Sequence, residues 1–368
     1  MRLVLAVVAC SGPAAAGPEG DLVKRWEQTA RVSIKDKSIR VADAIEKICR
    51  KTGQDQLRIS AKAGQRIALE LENATFFEAV DAVAERAGLA LKTPGRWSDA
   101  GHFSLVARPE GMKRIPPVHS GPARLALFGI YAERNAARRF EPDASEPDTT
   151  PRKLWLELHC LFEKGLDGVV LGSVELDTVT DDADQSLVDK RTVAAGDDGE
   201  ARVDLKAGGP GSLMIRELRG RAIVLIPRKV AELKLTPRAR NRAKTLGKAK
   251  FTMVQCLRKG SKNQPELVVA LKGVPCPELG GKSDWGRVDV VTASLWRSRR
   301  AEVAIYLYTG SGKEIGTAGS RTDSGLGDAP VVYTFQLDDY PARIVVRSIT
   351  EVVRREIPFH FSDLPIPR

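Results

Sequence analysis

The chain is poor in the residues from which most active sites are built. It holds four histidines, five cysteines and four methionines in 368 residues, and aromatic side chains make up only 5%. His102, His119, His159 and His360 lie far apart, and none has a second ligand at the i+4 spacing of a helical metal site. The absence of Cys-x-x-Cys removes zinc knuckles and thioredoxin-like redox sites. There is no Gly-x-Ser-x-Gly elbow. Gly310-Ser311-Gly312-Lys313 lacks the leading glycine of a phosphate loop and the Ser or Thr after its lysine, so it reads as a hairpin turn. No internal run approaches the ~20 apolar residues of a transmembrane helix. No motif implies a cofactor or a metal. These absences argue against most enzymes. Folding can still bring a His, an acid and a Ser together without a sequence signature, which keeps a hydrolase on a β-scaffold as an alternative.

What is present begins with Met1-Arg2, a short apolar core over Leu3–Ala9 and the small residues Ala14-Ala15-Ala16-Gly17. That order is an export signal over residues 1–17 and predicts a periplasmic or envelope location. Val7-Val8-Ala9-Cys10 also fits a lipobox, in which Cys10 would carry a lipid anchor; plain cleavage is the favoured reading and lipidation the alternative. Of the remaining cysteines, Cys49 and Cys160 fall on apolar faces and read as small buried hydrophobes. Cys256 and Cys276 can pair in an oxidising compartment, although spacing alone does not show that they do.

Residues 30–107 carry the clearest pattern. Val32 and Ile34 alternate as in a strand, and Ser38 offers a cap for a helix whose apolar positions are Val41, Ala44, Ile45, Ile48 and Cys49. Gly53 ends that helix. Leu57 and Ile59 form a short strand, and Ile67, Leu69 and Leu71 one face of a longer one. Thr75 and Glu78 make a capping box for a second helix lined by Phe76, Ala79, Val80, Val83 and Ala87, and closed by Gly88. Leu89 and Leu91, then Phe103 and Leu105, supply the last two strands. The expected fold is a small α+β module of order βαββαββ, its helices lying against a small sheet. The order, and the phrases Ile39-Arg40-Val41-Ala42-Asp43-Ala44-Ile45 and Ala74-Thr75-Phe76-Phe77-Glu78-Ala79-Val80-Asp81-Ala82-Val83, resemble the short N-terminal domain shared by secretins and TonB-dependent receptors, the STN domain. The resemblance implies a docking module of the bacterial envelope that does no chemistry and contacts a partner protein.

After a Pro- and Gly-rich linker from Arg108 to Gly121, helical periodicity stops. Short alternating segments between turn residues predict all-β, Ig-like sandwiches. Arg221–Ile226 followed by Val230–Leu235 is similar to Ala342–Val346 followed by Val352–Phe359, each pair reading as the closing strands of a unit. The expectation is therefore two sandwiches, over 118–235 and 248–366, with one large sandwich as the rival. This region resembles the β-rich C-terminal half of exported bacterial proteins that carry a similar opening module.

Charge is distributed unevenly. From Ile226 to Asn263 there are twelve Lys or Arg against the single acid Glu232, an excess equal to the +11 of the whole chain. Arg238, Arg240, Arg242, Lys244, Lys248 and Lys250 fall in a segment that reads as the linker between sandwiches. They are either a solvated linker or a contact for an anionic polymer such as lipopolysaccharide phosphate or an acidic glycan. No aromatic residues interleave with them, which argues against nucleic acid. Asp177, Asp181, Asp182 and Asp184 read as an acidic turn, without the glycine and distal Glu of a calcium loop. Trp155 and Trp296 are expected in sandwich cores, His159 half exposed on its strand, and Trp97 on a loop where it can contact a partner or cover its own sheet. The function expected is non-enzymatic docking to an envelope protein.

Overall fold

The computed structural model describes residues 22–55, 57–92, 103–110, 114–133, 153–166, 168–196, 199–206, 208, 212–238, 240–258, 264–272, 288–290, 303–323 and 330–367. Residues 1–17, expected to be an export signal, and Cys10, Trp97, Cys276 and Trp296 lie outside them. Among the described residues no helix is long and apolar enough to cross a membrane.

A one-and-a-half-turn helix, α1 (Leu22–Glu27), comes first, and then the module in the expected order: β1 (Val32–Arg40), α2 (Val41–Thr52), β2 (Leu57–Ile59), β3 (Arg66–Ala74), α3 (Phe76–Ala87), β4 (Leu89–Lys92) and β5 (Phe103–Ala107). The helices stop where the sequence says they should. Gly53 and Gly88 take left-handed φ of 71° and 62°, which a side chain would strain. Thr75 and Glu78 form the capping box, Thr75 N–H donating to Glu78 Oε2 at 2.7 Å. Ser38 is no cap. Strand β1 continues through Arg40, and Ser38 O accepts from Arg66 Nη1 instead. The strands form two small sheets, not one: an antiparallel ribbon β1-β3 and a three-stranded sheet β2-β5-β4. Both close over one core with α2 and α3, in which Val41, Ile48, Phe76, Phe77, Val80, Val83, Leu89 and Leu105 are fully buried.

The remainder is β-structure. It runs β6 (Val118–Ser120), β7 (Ala123–Glu133), β8 (Lys153–Phe162), β9 (Val170–Asp181), β10 (Thr192–Ala194), β11 (Glu200–Leu205), β12 (Met214–Leu235), β13 (Arg242–Leu246), β14 (Ala249–Leu257), β15 (Glu266–Lys272), β16 (Val288–Val290), β17 (Val303–Tyr308), β18 (Thr317–Asp323), β19 (Val331–Leu337) and β20 (Arg343–Pro365). A four-stranded sheet, β11-β8-β7-β6, and a five-stranded sheet, β13-β14-β15-β19-β18, face different stretches of one six-stranded sheet, β10-β9-β12-β20-β17-β16.

The two repeated-looking segments are not two pairs of closing strands. Each is one long strand, and the two pair with each other antiparallel from Met214↔Pro365 to Leu235↔Ile344. Each strand therefore serves both cores. Ala222, Val224 and Ile226 pack in the first core with Ile357, Phe359 and Phe361; Leu233 and Leu235 pack in the second with Ile344 and Val346. Bulges between Pro227 and Val230 reset the alternation between these halves. The expected division at 235 and 248 is thus redrawn. The first core takes the chain's last strand half, and the second borrows the end of β12.

The expected linker at Thr236–Lys250 is also structure. Arg242–Leu246 is an edge strand hairpinned onto β14. Short α1 seats Leu22 and Trp26 in the first core, and Arg355 holds Glu27 at 2.7 Å.

Candidate binding surface

Strand β8 turns Leu154, Leu156, Leu158 and Cys160 into the first core, which sends Trp155, Glu157, His159 and Leu161 to the outer face of the four-stranded sheet. That face is divided. At one end the module lies on it: Leu161 packs into the module core. Asp81 of α3 is clamped by Arg124, with Nε–Oδ2 2.6 Å and Nη2–Oδ1 3.1 Å, and by His119 Nε2 at 2.7 Å. The Asp81 and Arg124 side chains are only 13% and 11% exposed. Burial pushes the Asp81 carboxyl up, but the hydrogen bonds from His119 and Arg124 outweigh it and hold the group below the ordinary carboxylate range. Arg114 grips Glu85 one turn further along α3.

Glu163, just past β8, reaches under the start of α3, where Oε1 accepts the Phe76 N–H at 3.0 Å. It is 6% exposed, and burial pushes its carboxyl up to about 7 against that hydrogen bond. Lys164 N–H donates to Gln54 Oε1 and Lys164 Nζ pairs with Asp55. A cleft of about 290 Å³ beside these contacts is lined by Lys24, Arg25, Gln54, Glu163 and Lys164. Module and first β-unit are thereby joined by buried and charged contacts along α3 and just after α2.

Beyond the module, the outer face carries two aromatic rows. Phe128 stacks on His159 with ring centres 4.1 Å apart and planes 4° apart, and His159 Nε2 lies 3.5 Å from Glu200. His159 was expected half exposed; Phe128 covers it and leaves it 8% exposed. Burial outweighs the carboxylates of Glu200 and Glu157 and lowers its pKa, so the ring is neutral at pH 7. In the second row Tyr131 stacks on Trp155 at 5.3 Å, and the Arg202 guanidinium covers the other side at 4.3 Å. Trp155 is therefore a surface residue and does not fill the core. Burial and a hydrogen bond to Glu157 both raise the Tyr131 hydroxyl. A Cβ at Gly129 would sit 2.9 Å from the Tyr131 ring, so a side chain there would displace that ring.

The basic segment does not make one patch. Arg242 and Lys244 pair across from Met253 and Phe251 and so share the core-facing side of their sheet, while Lys250, opposite Thr245 and Lys272, lies on the other. Arg238, Arg240 and Lys248 are exposed in the flanking turns. The acidic segment is a turn built on Asp181, whose Oδ1 accepts from Ala183 and Gln185 N–H. Among the described residues no three His, Cys, Asp or Glu side chains are grouped to hold a metal ion. Burial pushes the Cys160 thiol up to about 12 and that of Cys256 up to about 11, so both stay protonated and unreactive. Cys256 has no disulfide partner among the described residues, and the possible pairing with Cys276 falls outside them.

Sequence reasoning missed Asp81, Arg124 and the Phe128 row. One signal was available. Ala123, Leu125 and Leu127 alternate on odd positions, then Ile130 and Ala132 on even ones, and that change of parity is a bulge signature at Phe128. No family model, no curated protein and no solved structure matches the chain.

Proposed function

We propose that the chain is an exported, non-enzymatic docking protein of the bacterial envelope, and that its working part is the opening module together with the first β-unit. The resemblance of residues 30–107 to the STN domain supports the docking role, and we read the two β-units as Ig-like sandwiches that share their longest strands. The observation that carries the reading is the clamp of Asp81 between Arg124 and His119. It commits α3 to contact within the chain, so a partner meets the module and the sheet beside it as one surface. The aromatic rows on that sheet are held rigid by their own stacking, as contact residues of a preorganised interface are.

The test is capture from envelope extracts with the intact chain and with Asp81→Ala, followed by binding of the purified partner. The reading expects an envelope protein whose affinity falls about tenfold, about 1.4 kcal/mol, when the clamp is broken. A partner bound equally by both forms, or turnover of a substrate by the chain, would overturn it.

A further inference from the structure

Strand β7 is paired with β8 along its whole length, but β6 covers its other side only from Ala123 to Leu125. From Ala126 to Glu133 that side has no strand partner among the described residues. Unpaired strand edges template further pairing, and proteins ordinarily defend them with charge, proline or a cover. Two other edges here are defended. β11 sets Glu200, Arg202 and Asp204 at alternate positions, and β13 carries Arg242 and Lys244 on its inward side. The open stretch of β7 reads Ala-Leu-Phe-Gly-Ile-Tyr-Ala before its first charge at Glu133. The bulge between Leu127 and Gly129 pushes Phe128 outward to 56% exposure, the highest of the large apolar side chains among the described residues.

The outer face beside this edge is acidic. Glu133, Glu157, Glu200 and Asp204 stand on it against Lys153 and Arg202, an excess of two acids. Lys153 pairs with Glu133 and Arg202 with Asp204, which leaves Glu157 and Glu200 without a Lys or Arg partner among the described residues, and His159 is neutral. The edge of a second copy, residues 126–133, carries no cation to meet these carboxylates. A basic strand would be attracted.

We infer that the β7 edge from Ala126 to Glu133 is a docking site for an extended segment of a partner protein, added as a fifth strand to the four-stranded sheet, with Lys or Arg alternating with apolar residues and one apolar side chain lying on Phe128. Main-chain hydrogen bonds to β7 supply affinity, and Phe128 with the flanking carboxylates supplies selection. The inference rests on the docking reading and names the part of that surface which is contacted.

The experiment titrates the full chain with a labelled synthetic peptide of about twelve residues alternating lysine with valine or threonine, a glutamate-for-lysine version, and a version interrupted by proline, because only the first can add as a basic strand. Fluorescence anisotropy reads affinity, and hydrogen exchange reads the amides of residues 126–133. The expected result is binding by the first peptide, at least ~10-fold weaker binding by the other two, and ~5-fold loss in Phe128→Ala, with new protection over 126–133. Phe128 is a surface side chain, and circular dichroism confirms that the variant is folded. Unchanged exchange over 126–133, or equal binding of basic and acidic peptides, would overturn the site. So would self-association that protects the same amides without peptide. If an envelope partner is captured but still binds Phe128→Ala and leaves 126–133 unprotected, the edge inference fails while the docking reading stands.

Discussion

The two β-units are built around the same pair of long strands, yet their surfaces differ. The first is joined to the module through near-buried ion pairs, bears ordered aromatic rows and has an apolar strand edge with no partner among the described residues. The second has no module on it, and its edge strand β13 carries inward-facing cations. Shared strands give both units one framework, so the difference lies in what each adds to it. The first adds stacked rings and an apolar edge; the second adds cations along its edge strand.

That comparison can be broken from either side. The largest effect should come from Phe251→Ala, which removes a fully buried ring from the second core and should cost about 3–5 kcal/mol. Because β12 and β20 pass through both cores, the loss should lower a single denaturation midpoint common to both units. A melt in which only the second unit moves would show that the shared strands do not couple them.

Next is the clamp. Asp81→Ala leaves Arg124 without its carboxylate at 11% exposure, and breaking such a pair should cost about 3 kcal/mol in urea unfolding. The ion pair Lys229–Glu351, with side chains 67% and 51% exposed, should give no more than ~0.5 kcal/mol in the same assay. Equal losses at the two sites would remove the distinction between them.

Acid provides a third contrast, confined to the module junction. Glu163 is raised from the ordinary 4.5 to about 7, so the folded chain holds a proton that the unfolded chain releases between those values. Stability from this group is full below pH 4.5, declines as pH rises through 7 and is flat above, a loss of about 3 kcal/mol. Glu78 adds to the rise and Arg31 opposes it. Lys24, Arg25 and Lys164 also line the adjoining cleft. Asp81 acts oppositely and lower: its contribution is lost only as pH falls below the ordinary 3.8. Glu163→Gln should flatten the upper slope in denaturant titrations at pH 5 and pH 8. An unchanged slope would mean that another group produces it.

The smallest effect belongs to β13. Arg242→Ala with Lys244→Ala should change stability by less than ~0.5 kcal/mol, as exposed substitutions do. It should increase self-association in sedimentation, since edge charge is what it removes. Tight, salt-sensitive binding of heparin that disappears in the double variant would instead assign these cations to a polyanion.

Most of the module was legible because its helices are short and bounded by chemistry that acts locally. Gly53, Gly88 and the Thr75–Glu78 box each fix a boundary without help from the rest of the chain. The β-units were legible strand by strand but not in their connections. Pro227-Arg228 reads as a turn, and a 22-residue strand such as β12 is several times the usual length of ~5–6. Two halves were therefore expected where one continuous strand occurs. Nothing local tells Ile357–Phe361 to pack with Ala222–Ile226 and not with its immediate predecessors. The alternating cations of β13 read as a linker, since a defended edge and a solvated loop have the same composition. Asp81 was hidden for a similar reason: a single acid among alanines and valines looks like the wet face of a helix until Arg124 arrives from another sheet.

The most direct test is amide hydrogen exchange on the intact chain, following α3 and the open stretch of β7 together. If the module and the first β-unit are one body with a free edge, α3 amides will exchange only with global unfolding, while alternate amides from Ala126 to Glu133 exchange rapidly. Rapid exchange throughout α3, or full protection of the β7 stretch, would contradict the account.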